Sequence, residues 1–325
     1  MKRIGILTSG GDCQGLNASI RGVAKSLYEE FGNDVEIYGI KDGYKGLIFG
    51  EYKLMKSEDF SGILTLGGTI LGTSRQPFKL MRVIDENSVD KVKNMKDNYK
   101  KMKLDCLVIL GGNGTQKTAN LLREEGLNVV SLPKTIDNDV WGTDMTFGFH
   151  SSVEIATNVL DCIHTTATSH GRIFCVEIMG HKVGWLPLYA GIAGGADVIL
   201  LPEIPYDIDK IAKTLDNRIA NGKKFSILAV AEGALSKEEA AMKKKDFKKA
   251  RAEMKYPSIV YRLADELASR VDNDIREKNY GNMVGLVNGK IVPVPLSEVA
   301  GKLKTVPVDC EEILAAREIG ISFGD

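Results

Sequence analysis

The sequence predicts an α/β protein made of two Rossmann-like, three-layer α/β/α lobes with mainly parallel sheets. Three observations point there. Short, fully apolar runs alternate with longer amphipathic segments, and strands without polar alternation belong in parallel sheets covered on both faces. The length of 325 residues suits two domains of roughly 150 residues each. No low-complexity or proline-rich linker separates the halves, so the lobes are expected to exchange chain segments.

In chain order the strands are expected at 3–7, 35–40, 104–110, 129–132, 173–179, 198–201 and 226–231, each a mainly apolar run. Helical periodicity fills the intervals over 16–31, 115–125, 151–165 and 208–221. A further helical pattern runs from Ser258 to Val271. The lysine-rich stretch 243–255 reads as a solvated amphipathic helix rather than a basic binding patch. Asn288-Gly289 between two apolar runs reads as a hairpin turn.

Composition narrows the partners. With 43% hydrophobic residues and a formal net charge of +0, the chain has enough apolar material for real cores. It has no bulk charge to attract nucleic acid or an acidic membrane. Five cysteines, at 13, 106, 162, 175 and 310, form no C-x-x-C pair, as expected of reduced thiols in a cytoplasmic protein. A strand begins at Arg3 and no apolar run nears ~18 residues, so neither a leader nor a membrane span is expected.

Three loops follow predicted strands: Thr8-Ser9-Gly10-Gly11-Asp12, Leu110-Gly111-Gly112-Asn113-Gly114-Thr115, and Pro133-Lys134-Thr135-Ile136-Asp137-Asn138-Asp139. A glycine pair after a strand lets backbone approach a phosphate without interference from Cβ, and the helix that follows aims free N–H groups at the anion. Neither glycine loop is a Walker motif or a G-x-G-x-x-G fingerprint, and each alone is equally a structural turn. In the third loop Asp137 and Asp139 lie two apart, with Thr135 two before. If the loop is extended, all three face one site. One carboxylate could then accept a proton from a substrate hydroxyl, and the other could orient it or help hold Mg²⁺. The plainer alternative is a turn whose aspartates cap backbone amides.

At these residues the chain resembles the 6-phosphofructokinase family, in its ATP-using form. The similarity is carried by TSGGDCQGLNA (8–18), GGTILGTSR (67–75), GGNGT (111–115), PKTIDND (133–139), GTDMTFG (142–148), ATSHGRIFCVEIMG (167–180), IAGGA (192–196) and AEG (231–233). It follows the family order over roughly 1–268 and again from about Gly281 to Pro307. The resemblance implies phosphoryl transfer from ATP, with Mg²⁺, to the 1-hydroxyl of fructose 6-phosphate. It implies Asp137 as the general base, with Thr135 and Arg75 steadying the transferring group. Gly10, Gly11, Tyr44, Arg75, Gln76, Gly112, Asn113, Gly114 and Thr115 would bind the nucleotide. Thr135, Ile136, Asp137, Asp139, Met179, Gly180, His181 and Glu232 would hold the sugar. Arg172 would reach the 6-phosphate in a neighbouring subunit of a homo-oligomer, a tetramer or dimer. It also implies a nucleotide lobe of 1–148 plus about 258–304, and a sugar-phosphate lobe of about 149–257 plus 305–325.

Two positions bear on the donor by the same resemblance. Gly114 stands where pyrophosphate-using relatives carry aspartate, which favours ATP. Lys134 is the residue those relatives share, which keeps pyrophosphate as the alternative; the Gly/Lys mixture marks one ATP-using branch. Arg21, Lys223 and Lys224 match parts of a family effector site, and equally suit solvated surface cations.

Three departures stand out. Asn113, which by the resemblance would be the metal-binding residue, replaces an aspartate that helps hold Mg²⁺; a neutral oxygen binds Mg²⁺ less well, which shifts the metal toward Asp137, Asp139, water and the ATP phosphates. His181 replaces an arginine. The family segment T-x-x-G-x-x-Q-R-G-G, which supplies cations to the sugar phosphate, has no counterpart, since only the polar stretch 272–282 separates the late helix from the next strand. Arg251, Arg262 and Arg270 are the candidates to replace those cations. Without such replacement a catalytically impaired form, acting as a nucleotide-binding or regulatory subunit, is the further alternative.

Overall fold

The first strand, β1 (Lys2–Ser9), sets the frame: after its first two residues it is buried throughout. Successive side chains point to opposite faces of a strand, and here each face meets a separate core. Ile4 and Ile6 pack with Leu16, Ile20 and Ala24 of α1 (Leu16–Phe31). Leu7 packs on the other side, with Leu121 and Leu122 of α4 (Asn113–Glu124). Strand β4 (Cys106–Gly111) repeats the pattern, with Val108 and Leu110 toward α1 and Leu107 and Ile109 toward α4. This is why these strands read as largely apolar runs without polar alternation.

The structure is a computed structural model and describes residues 1–84, 89–254, 258–270, 282–287, 290–295 and 311–318. Its larger sheet has five strands in the order β3-β2-β1-β4-β5. Here β2 is Val35–Ile40, β3 Tyr52–Met55 and β5 Val129–Pro133. All pairings are parallel except β2 with β3. Strand β3 has no apolar run because only Met55 is buried, and period-based reading passes over it. Two helices not anticipated, α2 (Tyr44–Phe49) and α3 (Lys91–Lys101), cover the α4 side.

The second sheet has three parallel strands in the order β6-β8-β7, where β6 is Ile173–Ile178, β7 Val198–Leu200 and β8 Ser226–Ala231. On one face of β8, Ile227 and Ala229 meet α5 (Phe149–His170) and α6 (Trp185–Ala193). On the other, Leu228 and Val230 meet α7 (Ile208–Ala220). Beyond β8 come the short α8 (Lys237–Ala241) and the lysine-rich α9 (Lys244–Ala252), which has no buried residue, as expected of a solvated helix.

Helix α10 (Ile259–Ala268) buries Ile259, Leu263 and Leu267 in the core of the second sheet. The expected return to the first lobe at about residue 258 is therefore corrected for this helix: its apolar stripe matches the β8–α7 face.

Residues 273–325 form a separate unit. In it β9 (Asn282–Val287) pairs antiparallel with β10 (Lys290–Pro295), Val287 opposite Lys290, and α11 spans Glu311–Glu318. The expected turn at Asn288-Gly289 and the polar stretch after residue 271 lie outside the described residues. Among the described residues no helix is long and apolar enough to cross a membrane, and Cys13, Cys106, Cys162 and Cys175 are free thiols.

Candidate active site

Register brings the three loops together. Ser9 of β1 lies opposite Gly111 of β4, and Gly111 lies opposite Pro133 of β5. Adjacent strands are about 4.8 Å apart, so three loops leave neighbouring strands side by side at the carboxyl edge. Parallel α/β sheets bind ligands at that edge. The loops line one cleft of about 870 Å³, whose far wall is Met179, His181, Lys182 and Val183 from the loop after β6.

The first loop is held from behind. Thr8 Oγ1 donates to Gly72 O at 2.7 Å, Thr73 Oγ1 to Gly10 O at 2.7 Å, and Gly10 N to Ser74 O at 3.2 Å. Asn17 Nδ2 donates to Gly68 O at 2.7 Å while its Oδ1 accepts from Ile70 N at 2.9 Å. These bonds fix residues 67–75 against β1 and deliver Arg75 to the cleft. Gly10 has φ +95°, and a Cβ there would stand 3.6 Å from Lys134 Nζ. At Gly114 a Cβ would meet nothing within 4 Å. Space beside the second loop is thus free of other protein atoms at this position.

The third loop is fixed more heavily. Thr146 Oγ1 donates to Thr135 O at 2.7 Å, Thr146 N to Asn138 Oδ1 at 2.9 Å, and Asn138 Nδ2 to Asp144 O at 3.1 Å. Lys134 is buried, and its Nζ donates to the carbonyl of Gly11, tying the third loop to the first. Burial holds the Lys134 ammonium below its usual pKa, against the opposing pull of Cys13 and Asp12. The same burial pushes the Cys13 thiol up to about 11.

The loop that carries the two aspartates is not extended, contrary to expectation. Asn138 sits at φ +56°, so the chain turns between Asp137 and Asp139 instead of alternating. Both carboxylates still line the cleft, because Asn138 and Thr146 hold the turn. Thr135 Oγ1 donates to Asp137 Oδ2 at 3.3 Å and accepts from Asp137 N at 3.2 Å. Burial, then the neighbouring Asp139 charge, raises the Asp137 pKa; Thr135 and His181 pull it down.

Most of the expected residues meet here: Gly10, Gly11, Arg75, Gln76, Gly112, Asn113, Gly114, Thr115, Lys134, Thr135, Ile136, Asp137, Asp139, Met179 and His181 line the cleft. Four do not. Tyr44 is 1% exposed and its hydroxyl donates to Thr115 O at 2.9 Å, so it braces the start of α4 from inside rather than lining the nucleotide site. Gly180 is buried, and its N–H donates to Glu232 Oε1 at 3.1 Å, as His181 N does at 2.6 Å. Glu232 thereby shapes the turn that presents Met179 and His181. Arg172 precedes β6, at the end opposite the cleft, so it does not reach this site within its own chain.

All three replacement arginines are already paired with carboxylates. Arg262 Nη1 pairs with Glu239 at 2.9 Å and its Nη2 donates to Tyr206 at 2.9 Å. Arg251 pairs with the same Glu239 at 3.2 Å and donates to Ala234 O at 2.8 Å. Arg270 pairs with Asp209 at 2.9 Å. Sequence reasoning missed Lys117 and Lys182, both lining the cleft and, like Arg75, without a carboxylate partner among the described residues. The helical spacing of Lys117 after the donor glycines could have revealed it; Lys182 carries no comparable signal.

Two mainly parallel-sheet lobes, a cleft at their strand ends, paired carboxylates and cations without carboxylate partners among the described residues define a two-lobed α/β protein built to handle phosphorylated ligands. The phosphofructokinase family profile matches residues 3–285, and the chain belongs to that family. It is 50% identical to an ATP-dependent 6-phosphofructokinase of Spirochaeta thermophila, over 100% of this chain and 98% of that one. It is 44% identical to ATP-dependent 6-phosphofructokinase 3 of Bacteroides thetaiotaomicron, over 99% and 100%. Among solved structures it resembles phosphofructokinase from Saccharomyces cerevisiae, with a TM-score of 0.67 and 30% identity over 92% of this chain; it spans only 45% of that longer chain. The Spirochaeta alignment runs over 360 positions against 325 residues here, leaving 35 positions without a counterpart in this chain.

Proposed function

We propose that this chain transfers the terminal phosphoryl group of ATP to the 1-hydroxyl of fructose 6-phosphate, yielding fructose 1,6-bisphosphate in glycolysis. The observation that carries the reading is the register of Ser9, Gly111 and Pro133, which opens two anion-binding loops and the Asp137 loop into one cleft. Asp137 accepts the hydroxyl proton; its raised pKa moves it toward neutral pH, where a general base is most effective. Arg75, Lys117 and Lys134 face the donor phosphates and neutralise charge as the phosphoryl group passes. Residues 111–114 present backbone N–H groups at the start of α4. Asp137 Oδ1 and Asp139 Oδ1 remain open to a hard cation. Mg²⁺ would be held there with the ATP phosphates and would offset their charge.

The relatives named ATP-dependent, together with Gly114, favour ATP over pyrophosphate. At the sugar end Met179 and His181 are the proposed contacts, with Glu232 holding the turn that presents them. The apolar residues Trp185, Tyr189 and Ile192 exposed on α6, with Ile155 and Val159 on α5, support a homo-oligomer, in which Arg172 serves a neighbour's site. We place the enzyme in the cytoplasm.

A second reading has its own support. The pairing of Arg251, Arg262 and Arg270 with carboxylates favours weak acceptor binding, with the chain acting mainly through its nucleotide site. A coupled assay with fructose 6-phosphate and ATP or pyrophosphate in parallel tests both readings. Turnover with ATP supports the kinase, and turnover with pyrophosphate alone replaces the donor. ATP binding without turnover at millimolar sugar leaves the second reading.

A further inference from the structure

We propose that Asn113 is a positioning residue whose side-chain amide clasps Asp139, closing the donor loop onto the Asp137 loop, and that it is not a metal ligand. The proposal rests on the reading of this cleft as the phosphoryl-transfer site. Asn113 is the first residue of α4. Its Nδ2 lies 2.9 Å from Asp139 O and 2.8 Å from Asp139 Oδ2. Both partners are acceptors, so the amide orientation is fixed by chemistry: a flipped amide would set oxygen against two oxygens.

Among the described residues this is the link between the outer parts of the two loops. The other connections lie deeper, where Lys134 N donates to Gly111 O at 3.1 Å and Gln116 Nε2 to Leu132 O at 3.4 Å. Asp139 is two residues from Asp137, across a left-handed Asn138. A bond that fixes Asp139 to α4 therefore fixes the outer end of the turn carrying the base. The clasp requires a neutral donor. An isosteric carboxylate at 113 would face Asp139 at hydrogen-bond distance, and neither group could donate while both are ionised.

That requirement separates two roles by opposite signs. If Asn113 ligates the metal, Asn113→Asp supplies a charged oxygen, tightens Mg²⁺ and raises turnover. If Asn113 is a clasp, the same change breaks the loop contact, and Asn113→Ala, which adds no charge, breaks it too.

The test uses the full-length chain and both variants, with two readouts. The first is hydrogen–deuterium exchange over residues 135–147 without ligand; loss of two bonds, one to a charged oxygen, should speed exchange about tenfold or more in both variants. The second is the split between kcat and the ATP dissociation constant. The expectation is a fall in kcat of about tenfold with ATP affinity changed by less than about threefold, and no rescue of Asn113→Asp by added Mg²⁺. Exchange unchanged from wild type in either variant overturns the clasp. So does a lower Mg²⁺ requirement with higher kcat in Asn113→Asp. If the wild-type chain proves inactive, the proposed reaction fails while the exchange measurement still decides whether the clasp exists.

Discussion

The two ends of the cleft are built to different standards. At the donor end the loops are tied to one another and to the strands behind them: Lys134 to Gly11, Thr146 to Thr135 and Asn138, Asn113 to Asp139, and residues 67–75 to β1. At the acceptor end the wall rests on a sheet of three strands, and its shape depends on Glu232 bonding the amides of Gly180 and His181. Arg251, Arg262 and Arg270 are paired with Glu239 and Asp209. Preorganised groups contribute most where charge develops in a transition state. A molecule with a firm donor end and a sparsely charged acceptor end should keep its chemistry and lose affinity for the sugar phosphate.

The strongest way to break that comparison is to remove the base. Asp137→Ser should lower kcat by roughly 10²–10⁴ while calorimetry finds ATP binding unchanged; full activity would place the chemistry elsewhere. Next comes the anchor of the engaged arginines. Glu239→Ala leaves Arg251 and Arg262 without their buried carboxylate and should cost about 3 kcal/mol of stability in denaturant unfolding. A marginal loss would mean that those arginines are free to serve the substrate.

The pH dependence sharpens the donor end. Burial and the Asp139 charge raise the Asp137 pKa, and the base works only when ionised. Activity should therefore fall, as pH drops, at a value above the ordinary carboxylate range near ~4. A kcat profile with its acid limb at or below that range would remove Asp137 from the rate-determining step.

A smaller effect tests the acceptor end. Lys182→Ala should raise KM for fructose 6-phosphate about tenfold and leave KM for ATP unchanged, since Lys182 is a cation on that wall without a carboxylate partner among the described residues. The smallest concerns stability. A carboxyl whose folded-state pKa is raised weakens the fold at every pH above its unfolded value, so Asp137→Asn should slightly raise the melting temperature at neutral pH. An unchanged or lower value would mean that burial imposes no cost on this carboxylate.

The strands of the parallel sheets and the catalytic loop were legible because burial on both faces leaves a mark in composition and because short motifs stay contiguous. What escaped depended on direction or partnership. Strand β3 hid because an edge strand with one buried residue carries no apolar run. Tyr44 looked like a lining residue, yet its ring turns inward to bond Thr115 O, and sequence does not show which way a side chain points. The left-handed Asn138 defeated simple alternation while preserving the convergence it was meant to explain. The arginines could be counted in the sequence, but Glu239, far from Arg262 along the chain, decides whether they are free.

Gly148, at φ +104°, precedes α5, and a Cβ there would come within 2.7 Å of Cys13 Sγ and 2.8 Å of Gln14 O. The spine of the second lobe thus touches the first glycine loop through bare backbone. Such a point works as a fulcrum: any side chain at 148 becomes a wedge, splaying the jaws of the cleft and parting donor from acceptor while both binding surfaces stay chemically whole.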